Sequence, residues 1–196
     1  MKILLLLIMS YLLGSVPFGL LVGKLKGVDL TKTGSGNIGT TNVFRSVGKG
    51  FGIAVFVLDM LKGYFPVYLA SSTGQNHYIV MLCGLLAIAG HMFPIFLRFK
   101  GGKGVATGLG VILGIAPYLF ILSFLLGISI ISLTGYVSLA SITGSIFLTI
   151  LMLRSGQPLP YAWMVAFVTV LILVKHIPNI KRLLSGTENK ISWFAQ

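Results

Sequence analysis

Apolar runs of about twenty residues, separated by short polar segments, recur along this chain and leave few folds open to it. A transmembrane helix needs about 20 mostly apolar residues. Residues 3–23, 51–71, 78–97, 136–153 and 160–175 meet or nearly meet that requirement, and residues 105–132 form a longer apolar stretch. Only 9% of the 196 residues are charged, against about a quarter in soluble domains, so a soluble globular domain is excluded. The even spread of the runs gives no reason to divide the chain, and the expectation is one all-α integral membrane domain over residues 1–196. Lys2 before an apolar core imitates a signal peptide, but the apolar character continues through Phe18 to Val22, so the first run reads as an uncleaved span.

Charge sets the orientation. Fifteen Lys and Arg face only three acids, Asp29, Asp59 and Glu188, for a formal net charge of +12. Such a chain needs an anion as partner: the headgroups of the lipid bilayer or a phosphorylated substrate. Nucleic acid is excluded as a partner, because the basic residues sit in short loops and form no continuous face. Most of the positive charge lies in three segments, 24–50, 98–104 and 175–196. The positive-inside rule places all three in the cytoplasm and the N-terminus outside. That parity requires 105–132 to cross twice, breaking near Gly114-Ile115-Ala116-Pro117, which gives about seven spans with short or broken helices in this stretch. Gly-xxx-Gly spacings at Gly19/Gly23, Gly104/Gly108 and Gly110/Gly114 allow close helix packing. Asp59 is the only acid within an apolar run, with Lys62 three positions on. The two read either as a functional charge or as an internal ion pair that orients the helix, a supporting role beside the site lying between these readings. Cys83 sits alone in an apolar run, so no disulfide or thiolate metal site is expected.

The polar segments carry the chemistry. Gly34-Ser35-Gly36-Asn37-Ile38-Gly39-Thr40-Thr41-Asn42-Val43-Phe44-Arg45 contains GxGxxG, but a dinucleotide fingerprint must follow a strand, and here apolar spans flank the loop. Its glycines, hydroxyls, amides and the Arg45 fork still suit a phosphate. In the second segment, Gly90-His91 to Lys100-Gly101-Gly102-Lys103-Gly104, Gly104 stands where a P-loop needs Ser or Thr. The glycines precede an apolar helix, so free N–H groups beside Lys103 offer a second phosphate site. The third segment gathers His176, Asn179, Arg182 and Glu188 directly after the last span. No metal site is expected, because His77 lies on the outer side and His91 and His176 have few carboxylate companions.

At these three segments, and at Tyr11-Leu12-Leu13-Gly14-Ser15-Val16-Pro17-Phe18-Gly19, the sequence resembles the bacterial membrane glycerol-3-phosphate acyltransferases that use acyl phosphate as donor, the PlsY family. The resemblance implies acyl transfer from a fatty acyl phosphate to the 1-hydroxyl of sn-glycerol 3-phosphate, giving lysophosphatidic acid and phosphate in the first acylation of phospholipid synthesis. It implies catalytic roles for Ser35, Arg45, His176, Asn179 and Glu188 and binding of glycerol 3-phosphate by the second segment, with His91, Lys100, Gly101, Gly102, Lys103 and Gly104 as the candidates there; Asn37, Thr41 and Asn42 are candidate substrate binders by their donor chemistry. No cofactor, metal or protein partner is implied. The location is the bacterial cytoplasmic membrane, with the C-terminus and the site on the cytoplasmic side. On residue chemistry alone, a transporter of a phosphorylated or anionic solute would also carry basic glycine-rich loops, but should show internal repeats, and none is seen. Ser35, Arg45, His176 and Asn179 are expected to converge on one cleft, with His176 or a substrate phosphate oxygen accepting the hydroxyl proton.

Overall fold

A computed structural model describes residues 1–191 as helices joined by short loops. The chain forms two compact units, one over Met1–Ile115 and one from Ala116 onward. The first holds α1 (Lys2–Ser15), α2 (Phe18–Leu25), α3 (Thr40–Ser46), α4 (Lys49–Ser72), α5 (His77–Met92), a 3₁₀ turn (Ile95–Leu97) and α6 (Val105–Ile115). The second holds α7 (Pro117–Thr134), α8 (Val137–Arg154), α9 (Leu159–Lys175) and α10 (Ile177–Leu184). Large apolar side chains such as Leu4, Leu5, Ile121, Leu125 and Phe167 lie exposed on the long helices. This is the surface that lipid requires, and helices are the form that satisfies every backbone group within one segment.

Among the described residues, five helical stretches are long and apolar enough to cross a membrane: Lys2–Leu25, Lys49–Ser72, His77–Leu97, Pro117–Thr134 and Val137–Arg154. A sixth is the pair α9 and α10, bent by 58° at His176. The expected count of seven also needs α6, whose 11 residues rise only about 16 Å at about 1.5 Å each, roughly half of the hydrocarbon thickness. The break expected near Gly114–Pro117 is present: α6 ends at Ile115, Ala116 leaves helical geometry at φ −151° and ψ 72°, and Pro117 opens α7. Proline fits the first helical position because its missing N–H would have no helical acceptor there. The first apolar run is less regular than expected. It bends at Val16-Pro17 between α1 and α2, since Pro17 cannot continue the ladder of N–H donors.

Close backbone contact holds the first unit together. A Cβ on Gly63 of α4 would strike the Thr107 carbonyl oxygen, and one on Gly110 of α6 would strike that of Met60. Gly14 of α1 and Gly90 of α5 meet the carbonyls of Ala87 and Tyr11 in the same manner. Lipid tails compete with apolar side chains, so such approaches and the dispersion contacts they permit do much of the work of helix association. The glycine spacings are used unevenly: Gly110 and Gly114 face α4, Gly19 faces the Ile38 carbonyl in a loop, and Gly108 faces open space. In the second unit a hydroxyl ladder joins α8 to α9, with Thr149 Oγ1 2.9 Å from Thr169 Oγ1 and Thr169 Oγ1 donating to the Ser145 carbonyl at 3.1 Å.

Gly110→Ala should therefore destabilise the detergent-solubilised protein by about 1–3 kcal/mol through overpacking. Gly127→Ala, where a Cβ meets nothing within 4 Å, should be neutral or slightly stabilising. Thermal unfolding of the two variants side by side checks the contrast.

Candidate active site

In the first unit the segment between α2 and α4 is held down by a small apolar core. Leu30, Val43 and Val55 are fully buried there, with Phe18, Leu20, Val22, Val28 and Val47 packed around them. Asn42, 1% exposed, ties the loop to this core. Its Nδ2 donates to the carbonyls of Leu30 (3.0 Å) and Thr33 (2.9 Å), and its Oδ1 accepts from the Ser35 N–H (3.0 Å) and the Ser46 hydroxyl (3.3 Å). All four of its hydrogen-bonding positions are thus taken within the chain. Gly34 meets Asn42 Oδ1 closely enough that a Cβ would collide, and its φ of +63° favours glycine as well. Asn37 Oδ1 accepts from the Gly39 N–H at 2.8 Å and shapes the entry to α3. Ser35 lies exposed at the loop, and Thr41 and Arg45 sit half-buried on the first and last turns of α3.

The second segment folds back on itself before α6. The Gly101 N–H donates to the Met92 carbonyl (3.2 Å) and the Gly102 N–H to the His91 carbonyl (3.1 Å). These two N–H groups, expected to be open to an anion, are therefore engaged within the chain. The donors left for a ligand are the first-turn N–H groups of α6, which have no acceptor inside the helix. Gly104, at φ +84°, turns the chain into that helix with the half-buried Lys103 beside it. Lys100 is exposed on the preceding turn. His91 is buried at the end of α5, its Nδ1 3.8 Å from Asp59 Oδ1. Asp59 pairs with Lys62 at 2.7 Å, as the spacing allows, both almost fully buried. A small recess of about 10 Å³, room for about one water, is lined by Pro17, Ile38, Asp59, Lys62, His91 and Pro94, among others, so the bend after α1, the first loop and the second segment share one space.

In the second unit Glu188 is a hub. Its Oε1 accepts from Asn179 Nδ2 (2.7 Å) and the Ser138 hydroxyl (2.9 Å), and its Oε2 accepts from Arg182 Nε (2.7 Å). Burial pushes its carboxyl up, but hydrogen bonds from Asn179, Arg182 and Ser138 outweigh that and hold it below the ordinary carboxylate range. Ser138, fifty positions away in sequence, is a partner that no pattern within the third segment announces. His176 is 2% exposed, with Nδ1 2.8 Å from the Ile172 carbonyl oxygen. A carbonyl can only accept, so Nδ1 carries the hydrogen and the neutral ring presents Nε2 as its basic nitrogen.

The model of the glycerol-3-phosphate acyltransferase family matches residues 4–186. The chain belongs to this family. A glycerol-3-phosphate acyltransferase of Aquifex aeolicus is 46% identical over 97% of this chain and all of its own length. One from Thermus thermophilus is 44% identical over 94% of this chain and 93% of its own. Among solved structures, the glycerol 3-phosphate form of PlsY, an integral membrane glycerol 3-phosphate acyltransferase, is 44% identical and superposes with a TM-score of 0.95 over 98% of this chain and 96% of its own. The lysophosphatidic acid form gives 0.92 at 43% identity, with the same coverage.

Because its folded pKa is depressed, Glu188 adds stability that is fully present above the unfolded value of about 4.3 and is lost as the pH falls through the lower folded value. Glu188→Gln should abolish this acid limb and lower stability at neutral pH, as Arg182 loses its anion. Unfolding midpoints of wild type and variant from pH 7 to pH 3 measure both effects.

Proposed function

We propose that this protein transfers a fatty acyl group from acyl phosphate to the 1-hydroxyl of sn-glycerol 3-phosphate, giving lysophosphatidic acid and phosphate. The observation that carries the reading is the family match over residues 4–186. The reaction needs little covalent help. The hydroxyl oxygen attacks the activated carbonyl of a mixed anhydride, the bond from carbon to the phosphate oxygen breaks, and phosphate leaves with the electron pair. What the enzyme must supply is donors for the developing oxyanion and for two phosphates, together with alignment.

Lys103 and the first turn of α6 bind the phosphate of glycerol 3-phosphate in this reading, while Ser35, Thr41 and Arg45 supply donors from the first loop. The Arg45 fork engages a phosphate through two nitrogens. Asn42, Asn37, Gly101 and Gly102 shape these surfaces through the bonds described above. Asn179 is oriented by Glu188, and His176 takes the hydroxyl proton at Nε2. The same reading places the enzyme in the bacterial cytoplasmic membrane, N-terminus outside, with the three basic segments on the cytoplasmic side; the charge parity then counts α6 as a short crossing.

Purified protein given acyl phosphate and glycerol 3-phosphate should release phosphate and lysophosphatidic acid, with His176→Ala slower by about 10²- to 10⁴-fold if the ring is the general base. Comparable turnover with a thioester donor in place of acyl phosphate would overturn the donor assignment. Near-normal kcat in His176→Ala would give the proton to a substrate phosphate instead.

Gly102→Ala drives a methyl group into His91 Nε2 and should displace the turn before α6. The expected outcome is a raised KM for glycerol 3-phosphate with a smaller change in kcat, because binding is lost in ground and transition states alike. Initial-rate kinetics with each substrate varied in turn separate the two parameters.

A further inference from the structure

The buried charges of α4 do more than neutralise each other. Asp59 and Lys62 are 2% and 3% exposed and meet at 2.7 Å, which by itself would make a self-contained pair within one helix. Each partner also reaches a second segment. Lys62 Nζ donates to the Val16 carbonyl at 2.8 Å, at the bend between α1 and α2. Asp59 Oδ1 faces His91 Nδ1 at 3.8 Å. The opposite edge of the His91 ring lies against the glycine turn, where a Cβ on Gly102 would overlap Nε2. His91 also holds that turn through its main chain, its carbonyl accepting from the Gly102 N–H at 3.1 Å.

We propose that Asp59, Lys62 and His91 form a brace that sets the position of the Gly101–Gly104 turn, so that affinity for the phosphate of glycerol 3-phosphate depends on two charges that do not touch it. The proposal rests on the reading that this turn and the start of α6 bind that phosphate. It turns the substrate contact implied for His91 by resemblance into an indirect one, made through Gly102. The physical reason is stiffness: a charged pair at 2.7 Å, buried among protein segments, has little freedom to relax toward solvent, so whatever it contacts is held in one place. Asp59, Lys62 and His91 are positioning residues in this account.

Two substitutions probe the brace at different points. Asp59→Asn keeps the side-chain shape and an acceptor for Lys62 but removes the charge facing His91. His91→Gln leaves the ion pair intact and removes the ring beneath Gly102. Each should raise KM for glycerol 3-phosphate about tenfold, with kcat and the KM for acyl phosphate within about twofold of wild type. Because the contacts lie in series, the double variant should be no worse than the more impaired single one; effects that multiply would overturn the serial brace. A lower unfolding temperature with unchanged KM in both single variants would also overturn it, leaving a purely structural ion pair. If Asp59→Asn does not yield folded protein, His91→Gln decides alone. Gly102→Ala separates the two levels. An unchanged KM there removes the binding reading beneath the brace, whereas a raised KM there with normal KM in Asp59→Asn and His91→Gln removes the brace only.

Discussion

Hydrocarbon offers no hydrogen bonds, so a hydroxyl or charge that this chain carries into the membrane is stabilised by an answer from within the chain; among the described residues most find one, and Thr107 Oγ1 and Ser123 Oγ do not. The simplest answer is local. Ser10, Ser15, Thr143 and Thr149 each donate to a carbonyl one helical turn back, at 2.7–3.0 Å, the usual resort of a hydroxyl inside a helix. Asp59 and Lys62 cannot be answered by a single backbone group. Their pairing, and the donation from Lys62 to Val16, join α4 to the bend after α1. The need to satisfy a buried charge thereby becomes a constraint on where neighbouring segments lie.

The same logic operates at the ends of the helices. Asn42 on α3 and Glu188 beyond α10 are buried polar side chains whose hydrogen-bond partners come from their own unit. Asn42 has no capacity to spare and Glu188 accepts three bonds, and each fixes a neighbour: Asn42 holds the main chain at Ser35, and Glu188 holds the amide of Asn179. Donors arranged before the substrate arrives cost no reorganisation during the reaction, which is how positioned hydrogen bonds contribute to rate. The proposed acyl phosphate donor, already activated, would ask for this kind of help.

Much of the helical framework was legible in the sequence because lipid imposes one simple rule, length and apolarity, and the apolar runs obey it. Pro117 marked the break before α7, and the three-residue spacing of Asp59 and Lys62 marked an ion pair. The bend at Pro17 had the same local cue but was hidden inside an apolar run long enough to span. What sequence could not carry was contact between distant segments. His91 beside Asp59, Ser138 on Glu188, and Gly14 and Gly90 against opposing carbonyls all depend on how helices pack. The glycines before α6 illustrate the limit most directly. Their composition announced an anion site, yet the N–H groups of Gly101 and Gly102 bond to Met92 and His91, so the proposed phosphate contact falls to the start of α6.

The geometry of His176 bears on the proposed proton transfer. Its Nδ1 bonds to the Ile172 carbonyl, one turn back along α9, and that bond exists in the neutral and the protonated ring alike. Accepting a proton at Nε2 in the proposed reaction therefore leaves the Nδ1 bond in place and calls for no ring flip. The Nδ1 anchor is a helix carbonyl, which does not titrate, so that bond does not tie the charge of the ring to another group. Glu188 serves Asn179, Arg182 and Ser138, while the ring that would handle the proton in the proposed reaction is oriented at Nδ1 by the main chain.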